Sequence, residues 1–177
     1  MAAEIVDILI IGAGASGAAA AWSFSETSLD IMCIEQGDRM EASDYPSTKR
    51  NWEVLRQHEY NVNPNVRKLA ADYPINDKDS PIRIANFNAV GGGTILYSAH
   101  FPRFHPSDFR VRTLDDVADD WPVDYAQLEP FFSENDRMMG VSGLGGDPAY
   151  PPMKWLLPPV ALGRMGEKIG KGFNKLN

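Results

Sequence analysis

The sequence is poor in cysteine, in basic residues and in long apolar runs, and each deficit excludes a class of protein. Its single cysteine, Cys33, excludes an internal disulfide framework and a cysteine-based zinc site. Seventeen lysines and arginines stand against 24 aspartates and glutamates, a net charge of −7. Nucleic acid and anionic membrane surfaces repel an acidic protein, so neither is expected as a partner. No apolar run approaches the roughly 18 residues of a membrane span.

The composition is that of a globular chain. Of the 177 residues, 44% are hydrophobic and 23% charged, enough for one domain or a domain with an appendage. Glu4 and Asp7 stand where a secretory signal would carry basic residues, so we expect a cytoplasmic protein. Clustered acids such as Asp119 and Asp120 have irregular spacing that is typical of a solvated face, and no metal site is expected.

The N-terminal segment predicts a strand–helix–strand unit. Ile5–Ile11 is short, apolar and β-branched, as in a buried strand, and Ser16 to about Ser25 is alanine-rich, as in a helix packed closely on a sheet. Asp30–Glu35 predicts a second strand that ends at Gly37, with Cys33 as a small buried hydrophobe. A connection of this length and type predicts that the two strands are parallel.

A glycine-rich loop, "GAGASG", joins the first strand to the helix. Gly12 would permit the tight turn, Gly14 would leave room for a pyrophosphate, and Gly17 would let helix and strand pack closely. The helix N-terminus would then offer free N–H groups to the phosphates, and Glu35 could accept hydrogen bonds from a ribose diol. The candidate cofactor-binding residues of this segment are Gly12, Gly14, Ala15, Ser16, Gly17, Glu35 and Gln36.

The loop alone leaves NAD and FAD open as ligands. NADP is disfavoured, because the Glu35 carboxylate would repel its ribose phosphate. A structural turn that binds no ligand is the remaining alternative.

The rest of the chain predicts fewer regular elements. A polar insertion at about 38–81 predicts short helices near 51–60 and 65–71, and 82–90 predicts a strand. Asp124 and Gln127 predict a capping box at the start of a helix that ends at Gly140, and Pro130 should kink or split it. The tail at about 151–177 is expected to be truncated, and its last part, "LGRMGEKIGKGFNKLN", has helical spacing but too many glycines and asparagines for a stable helix end.

Three stretches, "GAGASG", "IEQG" and "VGGGTILYSAHFPRFHPSDF", resemble the glucose–methanol–choline (GMC) oxidoreductases, with the sugar- and polyol-oxidising dehydrogenases as the nearer branch. The resemblance runs in pieces over about 5–143. It implies an α/β fold, the Rossmann-like FAD-binding domain of the GMC type, incomplete because the C-terminal strands of that domain are absent. It also implies oxidation of CH–OH groups of alcohols or sugars by hydride transfer to flavin N5.

A second glycine-rich segment follows from the resemblance. In the family, the matching residues wrap the flavin diphosphate and the ring edge, and consecutive glycines let backbone N–H groups converge there without a Cβ in the way. Some members carry a histidine, covalently bound to the flavin, where this chain has Leu96, so FAD is expected to bind non-covalently. The candidate flavin-contacting residues are Gly91, Gly92, Gly93, Thr94, Tyr97 and Ser98.

The catalytic histidine of the family lies far downstream, and none of His58, His100 and His105 matches it. We therefore expect 1–177 to be the N-terminal part of an FAD-binding domain, with no catalytic residue of its own. Its expected partners are the missing C-terminal part and, for the full-length enzyme, an alcohol or sugar substrate. The alternatives are a flavin-binding subunit completed by a partner chain, a small NAD-binding Rossmann protein, and a remnant that does not fold.

Overall fold

The structure is a computed structural model that describes residues 5–45 and 48–176. The chain divides into two compact units, Met1–Ala99 and His100–Asn177. Among the described residues, no helix is both long enough and apolar enough to cross a membrane.

The first unit begins with the predicted strand–helix–strand arrangement. Strand β1 (Ile8–Ile11), helix α1 (Ala15–Phe24) and strand β2 (Ile31–Ile34) follow one another. The strands pair in parallel, with Ile8 opposite Ile31. The first strand is shorter than predicted, but the order, the parallel pairing and the helical crossover are confirmed.

The prediction that Cys33 is buried is wrong. Cys33 is exposed, and so are Leu9 (52% exposed) and Ile11 (79%) on β1. Over residues 5–45 and 48–176 the sheet has two strands, so apolar side chains that a wider sheet would cover remain in contact with solvent.

Short turns of helix fill the segment that follows β2. A 3₁₀ turn (Ala42–Asp44), α2 (Trp52–Leu55) and α3 (Pro64–Arg67) replace the longer helices predicted there. The helix α3 ends early because Lys68 has a left-handed backbone, with φ of 52°. Buried Arg67 is paired with Asp72.

The strand predicted at 82–90 is not formed. Ala89 makes a single parallel bridge to Asp38, and the residues around it pack as core instead. That core consists of Phe87, Ala89 and Leu96, which are at most 6% exposed. Apolar character here reflects burial and not pairing along a neighbouring strand.

The second unit is mainly helical. It contains a 3₁₀ turn (Pro106–Phe109), α4 (Val111–Asp115), α5 (Tyr125–Met139) and α6 (Gly163–Phe173). Helix α6 contradicts the prediction that the glycines of the tail prevent a stable helix.

Helix α5 confirms the predicted caps. The Asp124 side chain accepts a hydrogen bond from the Gln127 N–H, and the Gln127 side chain accepts one from the Asp124 N–H, both at 2.9 Å. Gly140 ends the helix with φ of 67°. Pro130 does not split it, since helical structure continues to Met139.

A buried arginine ties the chain before α4 to α5. The Arg103 guanidinium donates to the Asp136 carboxylate at 2.7 and 2.9 Å, to the Tyr125 hydroxyl at 3.0 Å and to the Ser133 hydroxyl at 3.1 Å. These bonds satisfy both buried charges, so the cluster orients α5 without leaving an unpaired ion.

Candidate dinucleotide-binding site

The loop between β1 and α1 has the backbone shape that its glycines predict. Gly12 has φ of 97°, in the region that favours glycine, and its N–H donates to the Ile34 carbonyl at 2.8 Å. The turn therefore leaves the sheet immediately after the last paired residue of β1. A side chain at this position would strain the backbone.

Gly17 and Gly14 differ in what an added side chain would meet. A Cβ on Gly17 would lie 1.9 Å from the Gly12 carbonyl oxygen, so only glycine permits this approach of α1 to the loop. A Cβ on Gly14 would meet nothing within 4 Å. Packing therefore explains Gly17, whereas Gly14 faces open space that a ligand could occupy.

The N-terminus of α1 is suited to an anion. Gly14 is its N-cap and makes no side-chain capping bond, and the first turn carries no acidic residue. The first backbone N–H groups of a helix have no partner within it and carry partial positive charge. Together with the open space at Gly14, this is the arrangement that binds phosphate in dinucleotide-binding folds.

Glu35, at the end of β2, is bonded to backbone on both sides. Its Oε2 accepts from the Ala13 N–H at 2.7 Å, and its Oε1 accepts from the Gly37 N–H at 2.9 Å. The hydrogen bond from Gly37, then that from Ala13, lowers the pKa of Glu35 below its ordinary value of 4.5. Each oxygen keeps a lone pair, so the carboxylate remains able to accept from a ribose hydroxyl.

The second glycine segment lies directly against the first. The Gly91 N–H donates to the Ala13 carbonyl at 2.8 Å, and a Cβ on Gly92 would lie 3.3 Å from the Gly14 Cα. Gly91 and Gly92 both have positive φ, 102° and 56°. A 3₁₀ turn (Gly92–Ile95) then begins beside the loop. Two segments that are far apart in sequence therefore lie side by side.

The remaining predicted residues lie at its margin. Gly93 faces open space, and the Thr94 hydroxyl donates to the Gly91 carbonyl at 2.7 Å. Gln36, Tyr97 and Ser98 are exposed, and the bonds that join the two segments do not involve them.

Sequence reasoning missed Gly37 as a packing position. A Cβ there would lie 2.2 Å from both the Asn88 carbonyl carbon and its oxygen. The Val90 N–H donates to the Asp38 carbonyl at 3.1 Å, which fixes the second glycine segment beside β2. The sequence predicts Gly37 only as the end of a strand, since the chain it meets lies some fifty residues later.

None of the three histidines makes a hydrogen bond that joins the two glycine segments. His58 and His100 are exposed. His105, in the second unit, is half-buried with its ring centroid 4.6 Å from that of Tyr150. Among residues 5–45 and 48–176, no group of three or more metal-ligating side chains is close enough to hold an ion.

The parallel strand pair, the glycine loop and the bare helix N-terminus define a Rossmann-like dinucleotide-binding domain, which confirms the predicted fold class. The family model described as an NAD(P)-binding Rossmann-like domain matches residues 10–72. This stretch includes the loop, α1, β2 and Glu35, and it ends before the second glycine segment.

Comparison with known proteins gives the family. The chain is 35% identical to the 2-methyl-1,2-propanediol dehydrogenase of Mycolicibacterium austroafricanum, over 98% of this chain and 32% of that protein. It is 27% identical to the fructose dehydrogenase large subunit of Gluconobacter japonicus, over 82% of this chain and 29% of that protein. It is 31% identical to the 6'''-hydroxyparomomycin C oxidase of Streptomyces lividus, over 79% of this chain and 24% of that protein.

The chain is thus a relative of dehydrogenases and oxidases of the glucose–methanol–choline type, as its motifs predict. It spans about a third or less of the length of these relatives, with 32% as the largest share.

Proposed function

We propose that the chain is the FAD-binding part of an oxidoreductase that acts on the CH–OH group of an alcohol or sugar. The observation that carries the proposal is the contact between the two glycine segments, from the Gly91 N–H to the Ala13 carbonyl at 2.8 Å. A structural turn needs only the first segment. Two glycine segments side by side, with open space at Gly14 and Gly93, favour a ligand longer than a single phosphate group.

Each part of the site has a distinct role in this proposal. The loop Gly12–Gly17 and the N-terminus of α1 hold the diphosphate, and Glu35 accepts from the adenosine ribose. The segment Gly91–Thr94 contacts the flavin end, with Tyr97 and Ser98 at its margin. FAD binds non-covalently, because Leu96 is buried in the core and offers no nucleophile. Bound flavin supplies the hydride acceptor for the oxidation, while the residues of this chain bind and orient it.

The catalytic base is proposed to lie outside these 177 residues. Oxidation of an alcohol needs a group that accepts the hydroxyl proton, and none of His58, His100 and His105 matches the catalytic histidine of the family. The relatives are about three times longer, since this chain covers 32% or less of each. One of them is by name a large subunit, which supports completion by a partner chain as the alternative arrangement.

A small polyhydroxylated molecule is the proposed substrate class. The names of the relatives refer to a propanediol, to fructose and to a hydroxyparomomycin, all of which carry CH–OH groups. The choice among them, and between an oxidase and a dehydrogenase, depends on the pocket over the flavin.

NAD binding is the second candidate function. The description of the family model, an NAD(P)-binding Rossmann-like domain, favours it for residues 10–72. It leaves the second glycine segment without a role, because Gly91–Thr94 lies outside the matched residues.

The test is an absorbance spectrum of the purified chain after incubation with FAD and desalting. We expect a retained flavin band that is released on denaturation and that excess NAD does not displace. Colour that remains on the denatured protein would contradict non-covalent binding. Loss of flavin on desalting, together with saturable NAD binding, would replace FAD by NAD as the ligand.

A further inference from the structure

The backbone of Ala13 is hydrogen-bonded on both sides of its Cα. Its N–H donates to Glu35 Oε2 at 2.7 Å, and its carbonyl accepts from the Gly91 N–H at 2.8 Å. The Glu35 carboxylate and the second glycine segment therefore hold the two peptide units that flank the Ala13 Cα. A shift of the carboxylate would shift the acceptor that Gly91 uses.

A second connection runs from Glu35 to the same segment. Glu35 Oε1 accepts from the Gly37 N–H, and the Val90 N–H donates to the carbonyl of the next residue, Asp38. Gly37 itself packs on the backbone of Asn88 so closely that no Cβ fits. Glu35, Ala13, Gly91, Val90, Asp38 and Gly37 form a closed ring of backbone connections and hydrogen bonds.

Only a carboxylate of this length completes the ring. Two N–H groups from opposite sides point at the two oxygens of Glu35, and a carboxylate accepts at both. Glutamine offers one acceptor and one NH₂ group, so one of the two backbone donors would face another donor. Aspartate keeps the charge but is one methylene shorter, and cannot keep both bonds without movement of the backbone.

We propose that Glu35 is a positioning residue for the second glycine segment. It fixes Gly91–Thr94 against the first loop through the two peptide units on either side of the Ala13 Cα, in addition to any contact with ribose. The inference rests on the proposed function for its ligand, and on the hydrogen-bond ring alone for the coupling. It predicts that a substitution at Glu35 changes the position of Gly91–Thr94 at the flavin end of the site, which the Glu35 side chain does not contact directly.

A comparison of ADP with FAD binding distinguishes a positioning role of Glu35 from a direct contact of Glu35 with ribose. ADP carries the adenosine ribose and the diphosphate but no flavin, whereas FAD carries all three. Titrations of both against the 177-residue chain, Glu35→Gln and the control Asp7→Asn provide the comparison. Asp7 is a suitable control because its carboxylate accepts the Asp30 N–H at 2.9 Å, at the other end of the same strand pair.

We expect Glu35→Gln to weaken FAD binding about tenfold more than ADP binding, the loss of roughly one hydrogen bond at the displaced segment. Asp7→Asn should weaken neither ligand selectively. Equal weakening of FAD and ADP by Glu35→Gln would overturn the proposal, because a carboxylate that only holds ribose affects both alike.

Amide hydrogen exchange decides the coupling without any ligand. In Glu35→Gln we expect faster exchange at Gly91 and Val90, with the β1 and β2 amides near their wild-type rates. Unchanged exchange at Gly91, or a uniform increase across the first unit, would overturn the proposal. If Glu35→Gln does not fold, Glu35→Asp carries the same comparison. If the unmodified chain binds neither ligand, the proposed function fails while the exchange result still decides the coupling.

Discussion

Gly14 and Gly17 lie three residues apart, at the N-cap and in the first turn of α1, and their surroundings differ. Gly17 permits the helix to approach the Gly12 carbonyl, whereas Gly14 faces open space. Sequence patterns treat them as equal members of one motif. The structure shows that packing requires glycine at position 17 and leaves open space at position 14.

Alanine at each position should separate the two roles. Gly17→Ala places a Cβ where the distance to the Gly12 oxygen is 1.9 Å, so we expect loss of about 1–3 kcal/mol of unfolding free energy and loss of FAD binding. Gly14→Ala should leave the unfolding free energy within about 0.5 kcal/mol but weaken FAD more than tenfold, because the methyl group occupies the diphosphate position. Urea unfolding and FAD titration measure both. Unweakened binding by Gly14→Ala would place the diphosphate elsewhere.

The pKa of Glu35 gives a pH dependence with a definite sign. Because its hydrogen bonds from Gly37 and Ala13 lower the pKa below 4.5, the folded chain binds fewer protons here than the unfolded chain. The stabilisation is fully present above the ordinary pKa and is lost as the pH falls through that value towards the folded pKa. We expect the difference in unfolding free energy between the chain and Glu35→Gln to be constant above about pH 5.5 and to shrink below about pH 4.5. Unfolding at a series of pH values measures this, and a difference that grows on acidification would contradict it.

Among the elements, those with strong local signals match the sequence best. Helix α5 begins at its predicted cap and ends at its predicted glycine, because both signals act within a few residues. The internal Pro130 removes one hydrogen bond but does not divide the helix, which Arg103 anchors by its bonds to Tyr125, Ser133 and Asp136. Tertiary bonds of this kind have no local sequence signature.

The cap of α5 offers a quantitative test. Asp124→Ala removes the acceptor of the Gln127 N–H, so we expect the unfolding free energy to fall by about 1 kcal/mol. Asp124→Asn keeps a capping oxygen and should stay within about 0.5 kcal/mol of the unmodified chain. Urea unfolding followed by circular dichroism measures both variants. An equal loss in the two would mean that the charge, and not the cap, stabilises this end of α5.

For the whole molecule, contacts between residues close in sequence could be predicted, whereas contacts between distant residues could not. The strand–helix–strand unit and the glycine loop are local, and the structure confirms them. Other contacts join residues far apart in sequence: the bridge between Asp38 and Ala89, the packing at Gly37 and the two hydrogen bonds of the Ala13 backbone. The strand predicted at 82–90 fails for the same reason, since a strand needs a partner that apolar spacing alone does not provide.

Exposure of apolar residues is also a property of the whole fold. Cys33 was expected inside because its neighbours are apolar, but burial depends on what covers the sheet. Similarly, the apolar stripe of α6 forms a regular helix while Met165 and Phe173 remain 77% and 65% exposed. The helical spacing of the tail is a local pattern, whereas only the assembled structure shows that the apolar face of α6 is exposed.

The exposed thiol of Cys33 allows the protein to be labelled at one site. The chain has one cysteine, so a maleimide dye or a nitroxide spin label attaches at a single known residue without prior mutagenesis. Cys33 is on β2, two residues before Glu35 and opposite Ile10 in the neighbouring strand. With FAD bound as proposed, a change in the emission of a fluorophore at Cys33 on addition of FAD would report ligand occupancy.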